Sequence, residues 1–238
     1  MKFTYFDGEQ RSPEWFALRL GKVTASQLHQ WLAVSKAKGK EGKPLKARLD
    51  YEKELLFERK FNTSFERFVT DAMQDGIDFE DYARREYMRI TGAEVLECGA
   101  WHNDYFVASP DGIVKRDGSD EGLLEIKIVK DNTFSDILTD GVPDKWMKQV
   151  QGQMWASGKE WTDFVAVNFN TKKLKIIRVM PDTEEHKWYE LSITEDFHLN
   201  DAIFDDSQLH DIKGLLPEAA EEVAPIKNRA EKNKLEDF

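Results

Sequence analysis

The sequence predicts an α/β (α+β) fold in which a central mixed β-sheet is flanked by helices. Segments with helical spacing of apolar residues come first, and a run of short segments rich in β-branched residues follows them. One more helix, two more strands and a C-terminal helix complete a pattern typical of a sheet covered by helices. The hydrophobic content of 40%, with fifteen Phe and seven Trp, provides enough apolar surface for a buried core.

Start and stop signals place the helices of the N-terminal half. Ser12 is a candidate N-cap with Pro13 at the first helical position, and Gly21 ends that helix. Thr24 and Gln27 have the spacing of a capping box, which predicts a hydrogen-bonded start for the next helix. The other predicted segments are a polar loop at 36–46 and helices at 48–61, 65–72 and 76–91.

Turn residues bound the predicted strands, which lie at 94–102, 105–109, 112–114, 123–129, 164–168 and 174–179. The loop 115–122 is polar and contains glycine, so the strands on either side of it are expected to form a hairpin. Further helices are predicted at 143–156 and 183–204. We expect one domain over residues 1–216, followed by an acidic appendage at 217–238 with few large apolar groups.

Composition disfavours several classes of protein. The chain has no run of eighteen apolar residues, which argues against a transmembrane helix, and its N-terminus lacks the apolar segment of a secretory signal. Cys98 is the only cysteine, so an intrachain disulfide cannot form and a cysteine-based zinc site is not expected. We therefore expect a cytoplasmic protein with no membrane partner.

Charge is distributed unevenly along the chain. The formal net charge is −11 at pH 7, which is unusual for a protein that binds nucleic acid. Residues 19–60, however, hold eleven Lys and Arg against five acidic residues, whereas residues 182–238 hold sixteen acidic residues against six Lys and Arg. The N-terminal part could therefore face phosphates, although a solvated basic loop explains any single lysine there equally well.

Two carboxylates and a lysine are spaced so that a hairpin can bring them together. Asp111 lies in a Ser-Pro-Asp-Gly turn at 109–112, and Glu125 and Lys127 lie on the strand after the hairpin loop. Side chains alternate faces along a strand, so Glu125 and Lys127 point one way and Ile126 the other. Two carboxylates suit Mg²⁺, and a lysine can orient an attacking water. The pattern favours metal-assisted phosphodiester hydrolysis, with two exposed strand ends as the alternative.

Two further polar side chains are placed to assist such a site. Glu80 lies within the helix 76–91, where its carboxylate could reach a metal or its waters, but an i,i+4 pair with Arg84 also explains it. Gln149 lies on the helix 143–156 and shares a face with Gln153. An amide can bind a phosphate oxygen without adding charge, and an ordinary surface amide is the alternative.

A candidate anion site lies near the start of the second helix. Arg19, Thr24 and Ser26 cluster around the predicted helix N-terminus, where backbone N–H groups and the helix dipole favour negative charge. Together with a guanidinium and hydroxyls, such a site would suit a terminal phosphate of DNA. Ordinary capping by Thr24, with Arg19 on the surface, is the alternative.

In their order along the chain, these segments resemble lambda exonuclease and related phage recombination exonucleases, the YqaJ-like viral recombinases of the PD-(D/E)xK nuclease superfamily. The resemblance covers residues 12–168, and its most specific part is the segment Trp15-Phe-Ala-Leu-Arg-Leu-Gly-Lys-Val-Thr-Ala-Ser26. The helix 76–84, the two acidic motifs and the segment 146–151 follow in the same order. One departure is Trp146, which stands where lambda exonuclease has a tyrosine and cannot donate a phenolic proton.

The resemblance implies a PD-(D/E)xK restriction-endonuclease-like core and a Mg²⁺-dependent exonuclease activity. Such an enzyme digests the 5′-ended strand of linear double-stranded DNA in the 5′→3′ direction, releases mononucleotides and leaves 3′ single strands for annealing. Mn²⁺ is expected to substitute for Mg²⁺. The resemblance also implies a ring-shaped homotrimer, a phage single-strand annealing protein as partner, and a location in the bacterial host cytoplasm.

Roles for individual residues follow from the same resemblance. Asp111, Glu125 and the Ile126 carbonyl would bind metal, and Lys127 would act on the attacking water. Glu80 and Gln149 would assist at the metal and the scissile phosphate. The implied ligands of the DNA 5′-phosphate are Arg19, Thr24, Ser26 and Ser109.

Three alternatives remain open from the sequence. A structure-selective or restriction-type endonuclease could use the same core, and it would cut covalently closed circular DNA. A non-catalytic DNA-end adaptor could keep the fold, although the complete set of Asp111, Glu125 and Lys127 argues against it. An acidic α/β protein with chance motifs would not be expected to keep five segments in order.

Overall fold

Two β-sheets flanked by helices carry the fold in the computed structural model, which describes residues 1–64, 71–116 and 120–200. The strands are β1 (Thr4–Phe6), β2 (Val23–Thr24), β3 (Glu94–Leu96), β4 (Ala100–His102), β5 (Phe106–Ala108), β6 (Gly112–Arg116), β7 (Asp120–Val129), β8 (Thr162–Asn168) and β9 (Leu174–Val179). The helices are α1 (Pro13–Arg19), α2 (Leu28–Trp31), α3 (Lys46–Phe61), α4 (Asp71–Thr91), α5 (Asp131–Asp140), α6 (Asp144–Ser157) and α7 (Thr183–Asn200). The α/β fold class is thus confirmed.

Each sheet is mixed. The smaller has the order β1-β4-β5-β2, with β2 parallel to β5, and the larger has the order β3-β6-β7-β8-β9, with β7 parallel to β8. All other neighbouring strands are antiparallel, including the β6–β7 pair that the sequence predicted as a hairpin. Because β7 and β8 are parallel, the chain must cross between their ends, and α5 and α6 form that connection.

The larger sheet is covered by helices on both faces. On one face, Leu124 and Val165 pack in a cluster with Ala83 and Tyr87 of α4. On the other face, a second cluster joins the sheet to α5 and α6 through Leu123, Phe164, Ile137, Val150 and Met154. Successive residues of β7 therefore point to opposite helices, and the odd-numbered positions, which include Glu125 and Lys127, share the face of Leu123.

A third cluster lies beneath the smaller sheet. It joins Phe106 of β5 to Leu28 and Trp31 of α2, Tyr51 of α3 and Tyr189 of α7. Within the described residues, no helix combines the length and the apolar character needed to cross a membrane.

Gly152 allows α6 to lie close to the smaller sheet. A Cβ at this position would lie 2.9 Å from Leu28 Cδ2 and 3.1 Å from Phe106 Cζ. Glycine therefore permits a close approach that any other residue would oppose. The approach matters because α6 also carries Gln149 and Gln153 on the side that faces β7.

The single strand predicted at 94–102 is wrong, because the structure divides it between the two sheets. The segment Glu97-Cys98-Gly99 separates β3, in the larger sheet, from β4, in the smaller one. A Cβ on Gly99 would lie only 1.9 Å from the Phe6 carbonyl oxygen, so this glycine lets β1 and the connecting segment approach each other.

The capping box predicted at Thr24 does not form. Thr24 precedes a short 3₁₀ turn (Ala25–Gln27) and makes no capping hydrogen bond; its hydroxyl instead lies 3.1 Å from the Ser26 hydroxyl. The first helix fits its prediction, with the Ser12 hydroxyl accepting from the Trp15 N–H at 3.2 Å. The strands β1 and β2 and the helix α5 were not predicted from the sequence. Residues 65–70, 117–119 and 201–238, including the predicted boundary at 216, lie outside the described residues.

Replacing Gly122 by alanine is expected to destabilise the fold by about 1–3 kcal/mol, because a Cβ there would lie 2.2–2.3 Å from three ring atoms of Trp161. Urea unfolding would measure the loss. In a background with Trp161→Leu, the same substitution should cost much less, because the smaller side chain leaves room for a methyl group. Equal costs in both backgrounds would contradict the close approach.

Candidate active site

Asp111 is fixed at the start of the β6–β7 hairpin by two backbone contacts. Its N–H donates to the Leu124 carbonyl at 2.9 Å, and its Oδ2 accepts from the Ile126 N–H at 2.6 Å. The turn itself is held by Gln10, whose Nε2 lies 2.8 Å from the Pro110 carbonyl oxygen. The carboxylate of Asp111 is therefore anchored beside the strand that carries Glu125.

Glu125 is a buried carboxylate held by three donors. Only 1% of its surface is exposed. Gln149 Nε2 donates to Oε1 and Gln153 Nε2 donates to Oε2, both at 2.6 Å, while Lys127 Nζ lies 2.6 Å from Oε1. A buried charge needs such partners, because an isolated carboxylate in the interior would be strongly unfavourable. The structure thus brings together four of the predicted residues: Asp111, Glu125, Lys127 and Gln149.

The proximity of these charges shifts the pKa values of Asp111 and Lys127. Burial, followed by the negative charge of Glu125, raises the pKa of Asp111 well above its ordinary value, and Lys127 and the Ile126 N–H oppose this shift. Burial of the Lys127 ammonium lowers its pKa, but Glu125 and Asp111 outweigh this effect, and the net pKa is raised. Lys127 is therefore a cation that partly compensates two carboxylates.

Glu80 approaches the same cluster from α4, held by two arginines. Arg84 Nη2 lies 2.7 Å from its Oε1, and Arg11 Nη2 lies 2.9 Å from its Oε2. The i,i+4 pair with Arg84 is therefore present, yet the Glu80 charge also raises the pKa values of Asp111 and Lys127. The structure is thus compatible with both interpretations of Glu80: a pair with Arg84 and a position near the carboxylates of the predicted metal site.

The predicted phosphate ligands divide into two groups. The first group is Arg19 and Ser109, which Trp15 connects. Its indole N–H donates to Ser109 Oγ at 2.9 Å, and the Arg19 guanidinium lies 4.1 Å from its ring centroid. The second group is the pair of hydroxyls of Thr24 and Ser26. The helix that follows them, α2, spans only four residues, so its dipole attracts an anion less strongly than a longer helix would.

Part of the basic N-terminal segment serves the fold. Arg48 is buried, pairs with Glu52 at 2.7 Å and lies over the Trp31 ring. Arg59 donates to the Gly21 carbonyl at 2.8 Å. The lysines of the loop 36–46 are exposed, and so are Lys53 and Lys60, so these side chains can face phosphates.

The oxygen donors at this site fit a magnesium ion. Asp111, directly before β6, and Glu125, on β7, offer two carboxylates, and Ile126 offers a carbonyl between Glu125 and Lys127. Among the described residues, no group of three or more His, Cys, Asp or Glu side chains is placed to hold a metal. A site with two carboxylates matches Mg²⁺, which keeps several water ligands and binds one or two protein carboxylates. Mutual repulsion between Asp111 and Glu125 would also be relieved by a cation.

A cavity of about 560 Å³ opens beside this cluster. Its walls include Asp111 and three residues of α4, which are Glu80, Asp81 and Arg84. The segment before α1 and the β3–β4 connection supply the others: Asp7, Gly8, Glu9, Gln10, Arg11, Glu97, Cys98 and Gly99. Burial, followed by the Asp111 charge, raises the pKa of the Cys98 thiol to about 12. A thiol with so high a pKa is a poor nucleophile at neutral pH.

Sequence reasoning missed several residues at this site. The i,i+4 spacing that places Gln153 on the same face as Gln149 is the signal that could have identified Gln153 as a second partner of Glu125. Arg84 was recognised only as a partner of Glu80. The roles of Gln10 and Arg11 carry no local signal, since the residues that they contact here lie at least 69 positions away in the sequence. Trp15 contacts Arg19 four positions on, but its bond to Ser109 is equally remote.

The chain is similar to known nucleases in sequence and in fold. The model of the YqaJ-like viral recombinase domain matches residues 14–160. The chain is similar to an alkaline exonuclease (LHK-Exo) from Laribacter hongkongensis, with 31% identity and a TM-score of 0.67, covering 88% of this chain and 99% of that chain. LHK-Exo in complex with dAMP gives a TM-score of 0.66 at 31% identity over the same shares of the two chains.

A phage related exonuclease from Haemophilus somnus 129PT has 15% identity and a TM-score of 0.57, covering 76% of this chain and 94% of that chain, which bears on the fold alone. No curated protein matches the sequence. The fold and the carboxylate–lysine cluster define a nuclease of the PD-(D/E)xK type. More particularly, the chain belongs to the family of YqaJ-like viral recombinases.

The contact between Gln153 and Glu125 should appear as a coupling of about 1.5–3 kcal/mol, the usual range for a hydrogen bond to a charged group. A double-mutant cycle with Gln153→Leu and Glu125→Leu would measure it from unfolding free energies. Gln151→Leu is the matched control, because Gln151 donates to the Met180 carbonyl instead. Additive effects of Gln153→Leu and Glu125→Leu, or equal coupling for Gln151→Leu, would contradict the assignment.

Proposed function

We propose that this nuclease degrades the 5′-ended strand of linear double-stranded DNA in the 5′→3′ direction. It would release mononucleotides and leave 3′ single strands for single-strand-annealing recombination. The convergence of Asp111, Glu125 and Lys127 in a member of this family is the observation that carries the proposal. The complex of the related LHK-Exo with dAMP supports a deoxynucleotide as the product.

Asp111, Glu125 and the Ile126 carbonyl would hold Mg²⁺, for which Mn²⁺ can substitute. When bound, the ion supplies charge stabilisation at the scissile phosphate and activates water. The two amides that hold Glu125 orient it without adding charge, so only the Lys127 ammonium offsets the negative charge of this carboxylate. Gln149 would also donate to a phosphate oxygen beside Glu125, and Glu80 would accept from a water on the α4 side.

Lys127 has the contacts expected of a residue that orients the attacking water. Its ammonium lies 2.6 Å from Glu125 Oε1 and is stabilised in the charged form by both carboxylates. It therefore donates hydrogen bonds, both to Glu125 and to any water or phosphate oxygen next to it. A cation at this position also stabilises the negative charge that develops at phosphorus.

The 5′-phosphate would be bound by Arg19 and Ser109, with Thr24 and Ser26 supplying further hydroxyls. Trp15 supports this arrangement, because it contacts both Arg19 and Ser109. Ser109 lies two residues before Asp111, so a phosphate held here would place the next phosphodiester near the carboxylates. We extend the expectations for the family to a ring of three copies around the duplex and to a single-strand annealing partner.

Replacing Lys127 by alanine should lower DNA digestion about 10²–10⁴-fold while leaving DNA binding intact, because the lysine acts on the reacting water. Linear duplexes labelled at the 5′ or the 3′ end, with Mg²⁺, would report the reaction: early release of the 5′ label is expected. Lys115→Ala is the control, since Lys115 pairs with Glu121 on the same hairpin.

Release of the 3′ label first would reverse the proposed polarity. Cleavage of covalently closed circles would favour an endonuclease, and no Mg²⁺-dependent release at all would favour a non-catalytic adaptor. Full turnover by the Lys127 variant would refute its role.

Replacing Arg19 by alanine should slow digestion of 5′-phosphorylated ends about tenfold or more, because one charge-assisted contact is lost. Ends that carry a 5′-hydroxyl should be affected much less, which makes them an internal control for damage to Trp15. Initial rates on the two substrates would measure the difference. An equal loss on both ends would place the 5′-phosphate elsewhere.

A further inference from the structure

We propose that Arg84 is a positioning residue that fixes Glu80 and the turn at Asp111 in one arrangement; this inference rests on the nuclease site proposed above. Arg84 lies on α4, one turn after Glu80, and its side chain is only 13% exposed. Its Nη2 lies 2.7 Å from Glu80 Oε1 and 3.1 Å from the Asp111 carbonyl oxygen. A single nitrogen therefore bridges the helix and the turn.

The other guanidinium nitrogen anchors Arg84 itself. Nη1 lies 3.4 Å from Asp81 Oδ1 and 3.4 Å from Glu97 Oε1. Asp81 belongs to α4 and Glu97 to the connection between β3 and β4, so the guanidinium touches three parts of the chain that are remote in sequence. A planar guanidinium with a fixed fork of donors can make all these contacts at once, and an ammonium cannot.

The Nε atom of Arg84 indicates that this side chain is not placed for stability alone. Its Nε is buried and has no hydrogen-bond partner within the described part of the chain. A buried donor without a partner costs about 1–3 kcal/mol. The buried Nε therefore lowers the stability of the fold. This cost is explained if the arginine is kept for its bridge between Glu80 and Asp111.

Arg11 completes the hold on Glu80. It donates to the second carboxylate oxygen, and it adopts a positive φ of 69°, which is uncommon for a residue with a side chain. With Arg84 on Oε1 and Arg11 on Oε2, the Glu80 carboxylate is held on both oxygens. The consequence is that Arg84 determines where Glu80 lies relative to Asp111.

A purely electrostatic role predicts different behaviour from a positioning role. If only the positive charge mattered, Arg84→Lys would behave like the wild type. If position matters, Arg84→Lys and Arg84→Ala should both fail, because neither can bridge Glu80 and the Asp111 carbonyl while contacting Asp81 and Glu97. Displacement by about 1 Å can lower a rate about 10²-fold.

The experiment compares Arg84→Lys and Arg84→Ala with Arg89→Ala, a control on the same helix whose exposed side chain pairs with Glu86. We expect both Arg84 variants to lower kcat on linear duplex DNA about 10²-fold with KM for DNA unchanged. Arg89→Ala should keep the wild-type kcat. Active-site titration of folded protein, checked by near-UV circular dichroism, separates this effect from a loss of folded enzyme.

A second readout does not depend on activity. Mn²⁺ binding to the DNA-free protein, followed by electron paramagnetic resonance, should weaken about tenfold or more in Arg84→Lys, as is typical when a supporting contact of a ligand is lost. A wild-type kcat and a wild-type Mn²⁺ affinity in Arg84→Lys would overturn the inference, and so would an equal loss in Arg89→Ala. If the wild type digests no DNA, the proposed function fails, and the Mn²⁺ measurement still decides the role of Arg84.

Discussion

The site depends on one hydrogen bond, from the Ile126 N–H to Asp111 Oδ2. An antiparallel hairpin brings residues 111 and 125 to neighbouring strands, but register alone leaves the Asp111 side chain free to rotate. The contact at 2.6 Å ties that carboxylate to the backbone of β7, between Glu125 and Lys127. The position of the first carboxylate is thereby set by the same strand that carries the second carboxylate and the lysine.

Further contacts hold Glu125 in place, although burial of its charge is unfavourable by itself. Glu125 is almost fully buried, and a buried carboxylate is tolerable only when its oxygens are paired. Gln149 and Gln153 come from α6, which can approach because Gly152 lacks a side chain. The packing of α6 against the smaller sheet and the hydrogen bonding of Glu125 are therefore parts of one arrangement.

Local rules predicted much of this site and missed the rest for identifiable reasons. The alternation of strand side chains and the turn at 109–112 were enough to bring Asp111, Glu125 and Lys127 together. Gln153 and Arg84 were missed because helical spacing shows which residues share a face and not which strand that face meets. The break at 97–99 depends on the approach of Phe6, more than ninety residues away, and β1 and β2 are too short to show a period.

Glu125 and Glu80 are held by donors of different charge. Glu125 receives two neutral amides and one ammonium, so with Asp111 it leaves the centre of the site with a net negative charge. Glu80 receives two guanidinium groups, and one of them, that of Arg84, also contacts Asp81 and Glu97. The cavity beside Glu80 is acidic on balance as well, because six acidic residues and only two arginines, Arg11 and Arg84, line it. A cation is therefore attracted to both sides of the site.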